Sequence, residues 1–154
     1  MNIKMNTKKI IIPVILALVA VIVAPYALHP AEAHILKNFA PNVSVKIGWD
    51  SEPPLIGDTN KIDVYLYNGT NDSAAPIAGN GLDNMTITIQ YGGQTKKLSF
   101  DASDDTPGLY SSAVIPTQLG TYNTIIQGTI DGVNIPSTTY PMQEVEAKDK
   151  YNFP

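Results

Sequence analysis

Beyond residue 33 the chain alternates apolar and polar residues with a period of two, and this pattern constrains its fold more than any other feature. In the clearest example, Val43, Val45, Ile47 and Trp49 are separated by polar or small residues. A period of two places every second side chain on the same face of a β-strand, so the pattern predicts strands with one buried face. No segment after residue 33 keeps the period of an amphipathic helix.

Seven segments carry this strand pattern. They lie at Val43–Trp49, Ile62–Leu66, Met85–Tyr91, Leu98–Phe100, Tyr110–Ile115, Tyr122–Ile130 and Val133–Ile135. Gly92-Gly93 and Asp131-Gly132 each separate two of these segments, and both pairs favour two-residue hairpin turns because they tolerate positive φ. Seven short strands within about 100 residues predict an all-β fold, an immunoglobulin-like seven-stranded β-sandwich.

The first 33 residues have the pattern of an export signal. Lys8 and Lys9 precede an apolar run from Ile10 to Leu28, and Ala31-Glu32-Ala33 follows it. A cationic start, an apolar stretch and small residues just before a cut are typical of a secretory signal peptide, here cleaved after Ala33. The apolar run of 19 residues is also close to the ~20 that a membrane-spanning helix needs, so a retained anchor helix is the alternative.

Both alternatives place the rest of the chain outside the cytoplasm, because the lysines at the amino end stay inside. We therefore predict an exported protein at the extracellular or periplasm-like face of the membrane, secreted or held by a single span. The predicted organisation is a signal peptide or membrane anchor in residues 1–33, one sandwich domain in 34–142 and a charged tail in 143–154.

The composition of the exported part excludes several classes of function. It has seven lysines and no arginine against thirteen carboxylates, and this acidic balance argues against binding to nucleic acid or to an anionic membrane surface. The chain has no cysteine, so disulfides and thiolate chemistry are excluded. His34 is the only histidine after Ala33, so no Ser-His-Asp arrangement exists without it. The sequence therefore predicts that the protein is not an enzyme.

Cleavage after Ala33 would make His34 the amino-terminal residue. A free α-amine beside an imidazole offers two nitrogen donors that can chelate one copper ion. Asp50, Glu52 or Asp58 could add an oxygen ligand to this bidentate site. Copper is thus the one candidate cofactor, and His34 is the one candidate metal ligand. The alternative is that His34 is an incidental terminal residue without a role in metal binding.

Four asparagines begin an N-x-Ser/Thr sequon, the acceptor sequence for N-glycosylation. They are Asn42, Asn68, Asn71 and Asn84. Sequons also arise by chance in a chain rich in Asn and Thr. The best candidates are Asn68 and Asn71, which lie in a predicted loop.

Turn glycines and aromatic residues occur in each half of the predicted sandwich, in a different motif in each half. The first half contains Gly48-Trp49, Glu52-Pro53, Gly57 and Asn60, and the second contains Gly108-x-Tyr110, Pro116-Thr117-x-x-Gly120-x-Tyr122 and Gly128. These residues resemble exported immunoglobulin-like domains of the YtkA-like type. Such domains are similar in fold to periplasmic copper-resistance C proteins, some of which hold Cu(II) through an amino-terminal histidine. The resemblance implies a copper ligand at His34 alone, because the other histidine ligands of those proteins have no counterpart here.

The sequence therefore predicts an exported, non-enzymatic binding or accessory domain, a candidate component of a membrane complex with a protein partner that the sequence does not identify. The alternative is a copper carrier that uses His34 after signal cleavage. A third hypothesis is a structural component of the cell envelope. The membrane itself is a further contact if residues 1–33 remain uncleaved.

Overall fold

Two antiparallel β-sheets account for most of the regular structure in the computed structural model, which describes residues 34–154. The predicted signal peptide or anchor helix in residues 1–33 lies outside the described residues. Within residues 34–154, no helix has the length and apolar character needed to cross a membrane.

Ten strands form the two sheets of the described part of the chain. In chain order they are β1 His34–Ala40, β2 Val43–Trp49, β3 Asn60–Asn68, β4 Ala75–Pro76, β5 Met85–Tyr91, β6 Gln94–Lys97, β7 Asp101–Ala102, β8 Leu109–Val114, β9 Asn123–Ile130 and β10 Val133–Pro141. The six-stranded sheet has the order β1-β2-β3-β8-β7 with β4 paired to β3, and the four-stranded sheet has the order β10-β9-β5-β6. A 3-10 turn at Lys148–Tyr151 follows β10.

The core consists of the apolar positions that the alternation predicts. Every second residue of β2, from Val43 to Trp49, is at most 1% exposed. Ile126 and Ile130 of β9, in the other sheet, belong to the same buried cluster and are fully buried. Because both sheets contribute one apolar face to a single core, the predicted β-sandwich is confirmed at the level of two packed antiparallel sheets.

Four of the ten strands, β1, β4, β6 and β7, have no counterpart in the sequence prediction. β1 is half-buried along most of its length, so it shows no alternation, because a strand at the edge of a sheet is only partly covered. β4 and β7 have two residues each and are too short to carry a pattern.

The strand predicted at Leu98–Phe100 is wrong. These residues connect β6 of one sheet with β7 of the other, so the chain crosses the sandwich at this point. The strand lies earlier, at Gln94–Lys97, where all four residues are exposed. An exposed edge strand has no buried face, and its sequence therefore lacks the apolar period that marks the central strands.

Both predicted hairpin turns are confirmed. Asp131 and Gly132 have φ of +47° and +78°, and Gly92 and Gly93 have φ of +54° and +82°. Positive φ at both central residues is the geometry of a type I′ turn, which matches the twist of the strands on either side.

The segment after β10 belongs to the folded domain as far as Glu146, whereas the sequence predicted a charged tail from residue 143. Val145 is 3% exposed and exchanges two backbone hydrogen bonds with Gly120, at 3.0 and 2.9 Å. Glu146 pairs with Leu55 in a parallel bridge. One apolar residue in a charged stretch carries no period, so these contacts are not visible in the sequence.

The strands run between two ends of the sandwich, and each end gathers segments that are distant in sequence. We call the end at which β1 begins the His34 pole and the opposite end the distal pole. The His34 pole consists of His34 and residues 50–59, 92–93, 115–122 and 142–154; the distal pole consists of residues 41–42, 69–84, 103–108 and 131–132.

Candidate functional site

His34 lies at the edge of the six-stranded sheet, on the face that points away from the core. It pairs with Gly48 of β2, which pairs in turn with Asp63 of β3. Because Gly48 has no side chain, His34 and Asp63 flank an open position on this outer face. The His34 ring meets the Tyr65 ring edge-on, with centroids 5.8 Å apart. His34 therefore occupies a packed position in the sheet.

Glu52 is the carboxylate that contacts His34. It lies in the loop after β2, and its Oε1 atom is 3.9 Å from Nδ1 of His34. Oε1 of Glu52 and Nε2 of His34 are both buried without a hydrogen-bond partner among the described residues. Such atoms are rare in folded proteins, because an unpaired buried polar group costs about 1–3 kcal/mol.

Burial shifts the pKa values of His34 and Glu52 in opposite directions. It lowers the pKa of His34, and the nearby ammonium group of Lys46 lowers it further, against the opposing effects of Asp63 and Asp50. Burial also raises the pKa of Glu52. The His34 imidazole is therefore neutral at neutral pH, and a neutral imidazole has the free lone pair that a metal ion requires.

The donors at this site fit a copper ion only together with the α-amine of His34. Nδ1 of His34 and Oε1 of Glu52, 3.9 Å apart, would supply one nitrogen and one oxygen donor to such an ion. Within residues 34–154, however, no three His, Cys, Asp or Glu side chains come together in a metal-binding group. The amine, which would exist after cleavage at Ala33, is the third donor that the arrangement needs.

Two other carboxylates that the sequence offered as ligands have different surroundings. Asp58 forms a salt bridge with Lys148. Asp50 accepts a hydrogen bond of 3.4 Å from the Ser51 hydroxyl and lines a groove on the outer face of the sheet. Of the three candidates, Glu52 is the one within 4 Å of His34, a distinction that depends on the conformation of the loop.

The same outer face carries an aromatic pair that the sequence analysis missed. Tyr65 and Tyr67 lie on the solvent side of β3 with parallel rings, 4° between planes and 6.4 Å between centroids. Lys46 of β2 holds its ammonium group 5.6 Å from the centre of the Tyr65 ring and 3.2 Å from Asp72. The signal was present in the sequence, because the intervening residues of β3 are the core positions and both tyrosines must therefore face outward.

The outer face continues as a polar groove towards β8 and β7. Asp63 is 3% exposed, and its Oδ1 atom accepts a hydrogen bond of 2.6 Å from the Ser111 hydroxyl. Burial raises the pKa of Asp63. Lys61 and Asp101 also line this groove, so it presents charges of both signs.

All four sequon asparagines, Asn42, Asn68, Asn71 and Asn84, are exposed and lie at or beside the distal pole. Asn42 is in the turn between β1 and β2, and Asn84 directly precedes β5. The Oδ1 atom of Asn71 accepts a hydrogen bond of 3.0 Å from the backbone of Ser73. The serine of the Asn42 sequon, Ser44, is fully buried in β2, which leaves the other three sequons as the more accessible acceptors.

Four large apolar side chains of the described residues are exposed, and all four lie at the His34 pole. They are Ile115, Leu119, Tyr151 and Phe153, with 55%, 49%, 52% and 97% of their surface exposed. The sequence analysis treated Ile115 as a strand end and did not single out the other three. Only burial in the folded chain separates such residues from core positions.

No family model matches this chain, and no curated protein matches it. Among solved structures, a DUF4426 family protein from Pseudomonas aeruginosa is similar over 74% of this chain and 95% of its own, with 15% identity and a TM-score of 0.50. The Lin-41 filamin domain matches over 62% of this chain and 90% of its own, with 14% identity and a TM-score of 0.39. At this level of identity, the first of these likenesses supports the two-sheet fold alone.

Proposed function

We propose that this chain is an exported, non-enzymatic binding or accessory domain of the YtkA-like, immunoglobulin-like type, and that it contacts a protein partner at the membrane through the outer face of its six-stranded sheet. The proposal rests on the aromatic pair Tyr65 and Tyr67 on that face. Its export rests on the sequence of residues 1–33.

The aromatic pair has the properties of an interface anchor. Tyrosine is enriched at protein interfaces, because it contributes a large contact area and loses little conformational entropy on binding. The parallel packing of Tyr65 and Tyr67 and the position of Lys46 beside Tyr65 hold these side chains in place before any partner arrives. The neighbouring groove, with Lys61, Asp63 and Asp101, supplies charges of both signs for a polar rim.

We expect the double substitution Tyr65→Ser and Tyr67→Ser to reduce capture of the partner by about tenfold or more, because loss of central aromatic anchors weakens interfaces most. The measurement is affinity capture of the tagged full chain from cross-linked native membranes, with the captured protein quantified by mass spectrometry. A matched control changes Thr86 and Thr88, which have the same spacing on the outer face of β5, to serine. Equal capture by both double variants would contradict the proposal.

Copper binding is a second candidate function, favoured by the 3.9 Å contact between Nδ1 of His34 and Oε1 of Glu52 and by the burial of this Oε1 atom without a hydrogen-bond partner among the described residues. After cleavage at Ala33, the amine and Nδ1 of His34 would form a chelate ring, and Oε1 of Glu52 would add an oxygen ligand. The copper ion would then satisfy a carboxylate oxygen that lacks a partner among the described residues.

We expect protein that begins at His34 to bind one Cu(II), and Glu52→Gln to weaken this binding about tenfold or more because an amide oxygen is a poorer ligand than a carboxylate. Asp58→Asn is the matched control and should bind as the parent does. Affinity is measured by competition titration, and the ligand set is followed by electron paramagnetic resonance. Affinity should fall as the pH decreases, since protons compete with copper for both nitrogens.

Two results would exclude this second candidate. The first is Cu(II) binding of unchanged strength and spectrum in the His34→Ala protein, which would place the metal elsewhere. The second is a native protein whose mass shows an amino terminus before His34, because the amine would then be absent from the site.

A further inference from the structure

We propose that the His34 pole faces the lipid bilayer, and that Ile115, Leu119, Tyr151 and Phe153 contact the boundary between headgroups and acyl chains. The inference rests on the proposed function in one respect, which is that the domain acts at a membrane. It goes beyond that function in two respects: the His34 pole is the end of the domain that points towards the membrane, and lipid is the class of molecule that this pole contacts.

The first argument is that the exposed apolar side chains are confined to one end. No large apolar residue of the described chain is similarly exposed at the distal pole. The segment that carries Ile115 and Leu119 is tied to the sandwich: the Tyr91 hydroxyl donates to the backbone oxygen of Leu119 at 2.8 Å, and the Gly57 amide donates to that of Pro116 at 2.8 Å. A salt bridge between Lys148 and Asp58 connects the 3-10 turn that contains Tyr151 to the loop after β2. Apolar side chains held in water by a rigid scaffold favour an apolar or interfacial contact.

The second argument is the position of His34 relative to the apolar run in the sequence. His34 is at this pole, and only five residues separate it from the apolar run Ile10–Leu28. If that run enters a bilayer, the His34 pole is the end of the domain nearest to the membrane. Lys148 and Lys150 lie beside Tyr151 in the 3-10 turn, and lysine and tyrosine are typical of the membrane–water interface.

The third argument is the position of the sequons. All four sequon asparagines lie at or beside the distal pole, so the sequons and the exposed large apolar side chains occupy opposite ends of the sandwich. A glycan on Asn68 or Asn71 would extend away from a membrane at the His34 pole and would not hinder its approach.

The charge of the pole specifies the kind of lipid. Residues 50–59 and 142–154 contain six carboxylates and two lysines, so an anionic surface would repel this end. A zwitterionic surface fits better. Phe153 is 97% exposed, and such a protruding side chain suits a fluid lipid boundary better than a shaped protein surface.

The experiment places a tryptophan reporter at each pole of the full chain in vesicles of phosphatidylcholine. Phe153→Trp reports on the His34 pole, and Ala75→Trp, at an exposed site of β4, reports on the distal pole. The unsubstituted protein gives the signal of buried Trp49 for subtraction. We expect brominated phosphatidylcholine to quench the reporter at 153 at least about threefold more than the reporter at 75, with a shift of emission to shorter wavelength.

Two further measurements test whether the apolar side chains and the lipid charge determine the quenching. Ile115→Ser together with Leu119→Ser, in the Phe153→Trp background, should reduce the quenching, because both apolar contacts with lipid are lost. Phosphatidylglycerol added to the vesicles should leave it unchanged or reduce it. Equal quenching at both poles in pure lipid would overturn the proposal. Protection of the reporter at 153 only after membrane proteins are added would also overturn it, in favour of a protein partner at this pole.

This readout is independent of the capture experiment on Tyr65 and Tyr67, which lie on the sheet face. Equal quenching at both poles, with the expected loss of capture in the Tyr65 and Tyr67 variant, would remove the orientation and leave the proposed function. Equal capture by both double variants, with the expected stronger quenching at 153, would remove the proposed sheet-face contact and leave the orientation.

Discussion

Replacement of Trp49 by alanine is expected to lower the free energy of unfolding by about 3–5 kcal/mol, a large part of the stability of a domain of this size. Trp49 is fully buried at the end of β2. Its ring meets Tyr122 edge-on, with centroids 6.0 Å apart, and its Nε1 atom donates a hydrogen bond of 3.0 Å to the backbone oxygen of Gln143. The substitution therefore leaves both a cavity and an unpaired carbonyl oxygen.

The measurement is denaturant unfolding followed by circular dichroism, because the variant lacks the only tryptophan of the chain. Trp49→Phe keeps an aromatic ring and loses the hydrogen bond, so it should cost less than the alanine variant. Tyr151→Ala removes a side chain that is 52% exposed and should change stability by no more than about 0.5 kcal/mol. A loss below about 1 kcal/mol in Trp49→Ala would contradict the position of this residue in the core.

Substitution of Gly128 by alanine is expected to cost about 3 kcal/mol or more, from a clash and from backbone strain together. Gly128 has φ of +141°, a conformation that residues with a side chain rarely adopt. A Cβ atom at this position would overlap the backbone oxygen of Asn84 and lie 2.9 Å from Cα of Met85. Both obstacles are backbone atoms of the neighbouring strand region, so β5 and β9 would have to separate.

The matched control is Gly132→Ala, which also has positive φ, +78°, but no atom within 4 Å of the added Cβ. This variant carries the strain of the left-handed conformation without a clash, which costs about 1–2 kcal/mol. Thermal unfolding of both variants tests the difference. Equal shifts in melting temperature would show that the close approach of Gly128 to Asn84 does not determine stability.

The tyrosine pair, the exposed apolar side chains and the sequons occupy three different surfaces of the domain. The tyrosine pair lies on a sheet face, the apolar side chains lie at the His34 pole, and the sequons lie at or beside the distal pole. A domain held by its amino-terminal end could therefore face lipid, present a side surface to a protein partner and keep its glycan acceptor sites remote from both.

The sequence by itself determined the features that depend on neighbouring residues. The alternation in β2 and β3 predicted their buried faces correctly, because a central strand must bury one whole face and its side chains alternate by geometry. The Asp131-Gly132 turn was equally predictable, since positive φ at two successive positions is a local requirement. These elements establish strands with one buried face and a tight hairpin from local sequence alone.

Only the tertiary structure decided what brings distant residues together. The edge strands β1 and β6 escaped prediction at their true positions, because neither has a fully buried face that would leave a period in the sequence. The contact of His34 with Glu52 depends on the path of the loop after β2. The His34 pole contains residues 115–119 and 151–153, which are remote in sequence and lie at the same end of the sandwich only because antiparallel strands return the chain to that end.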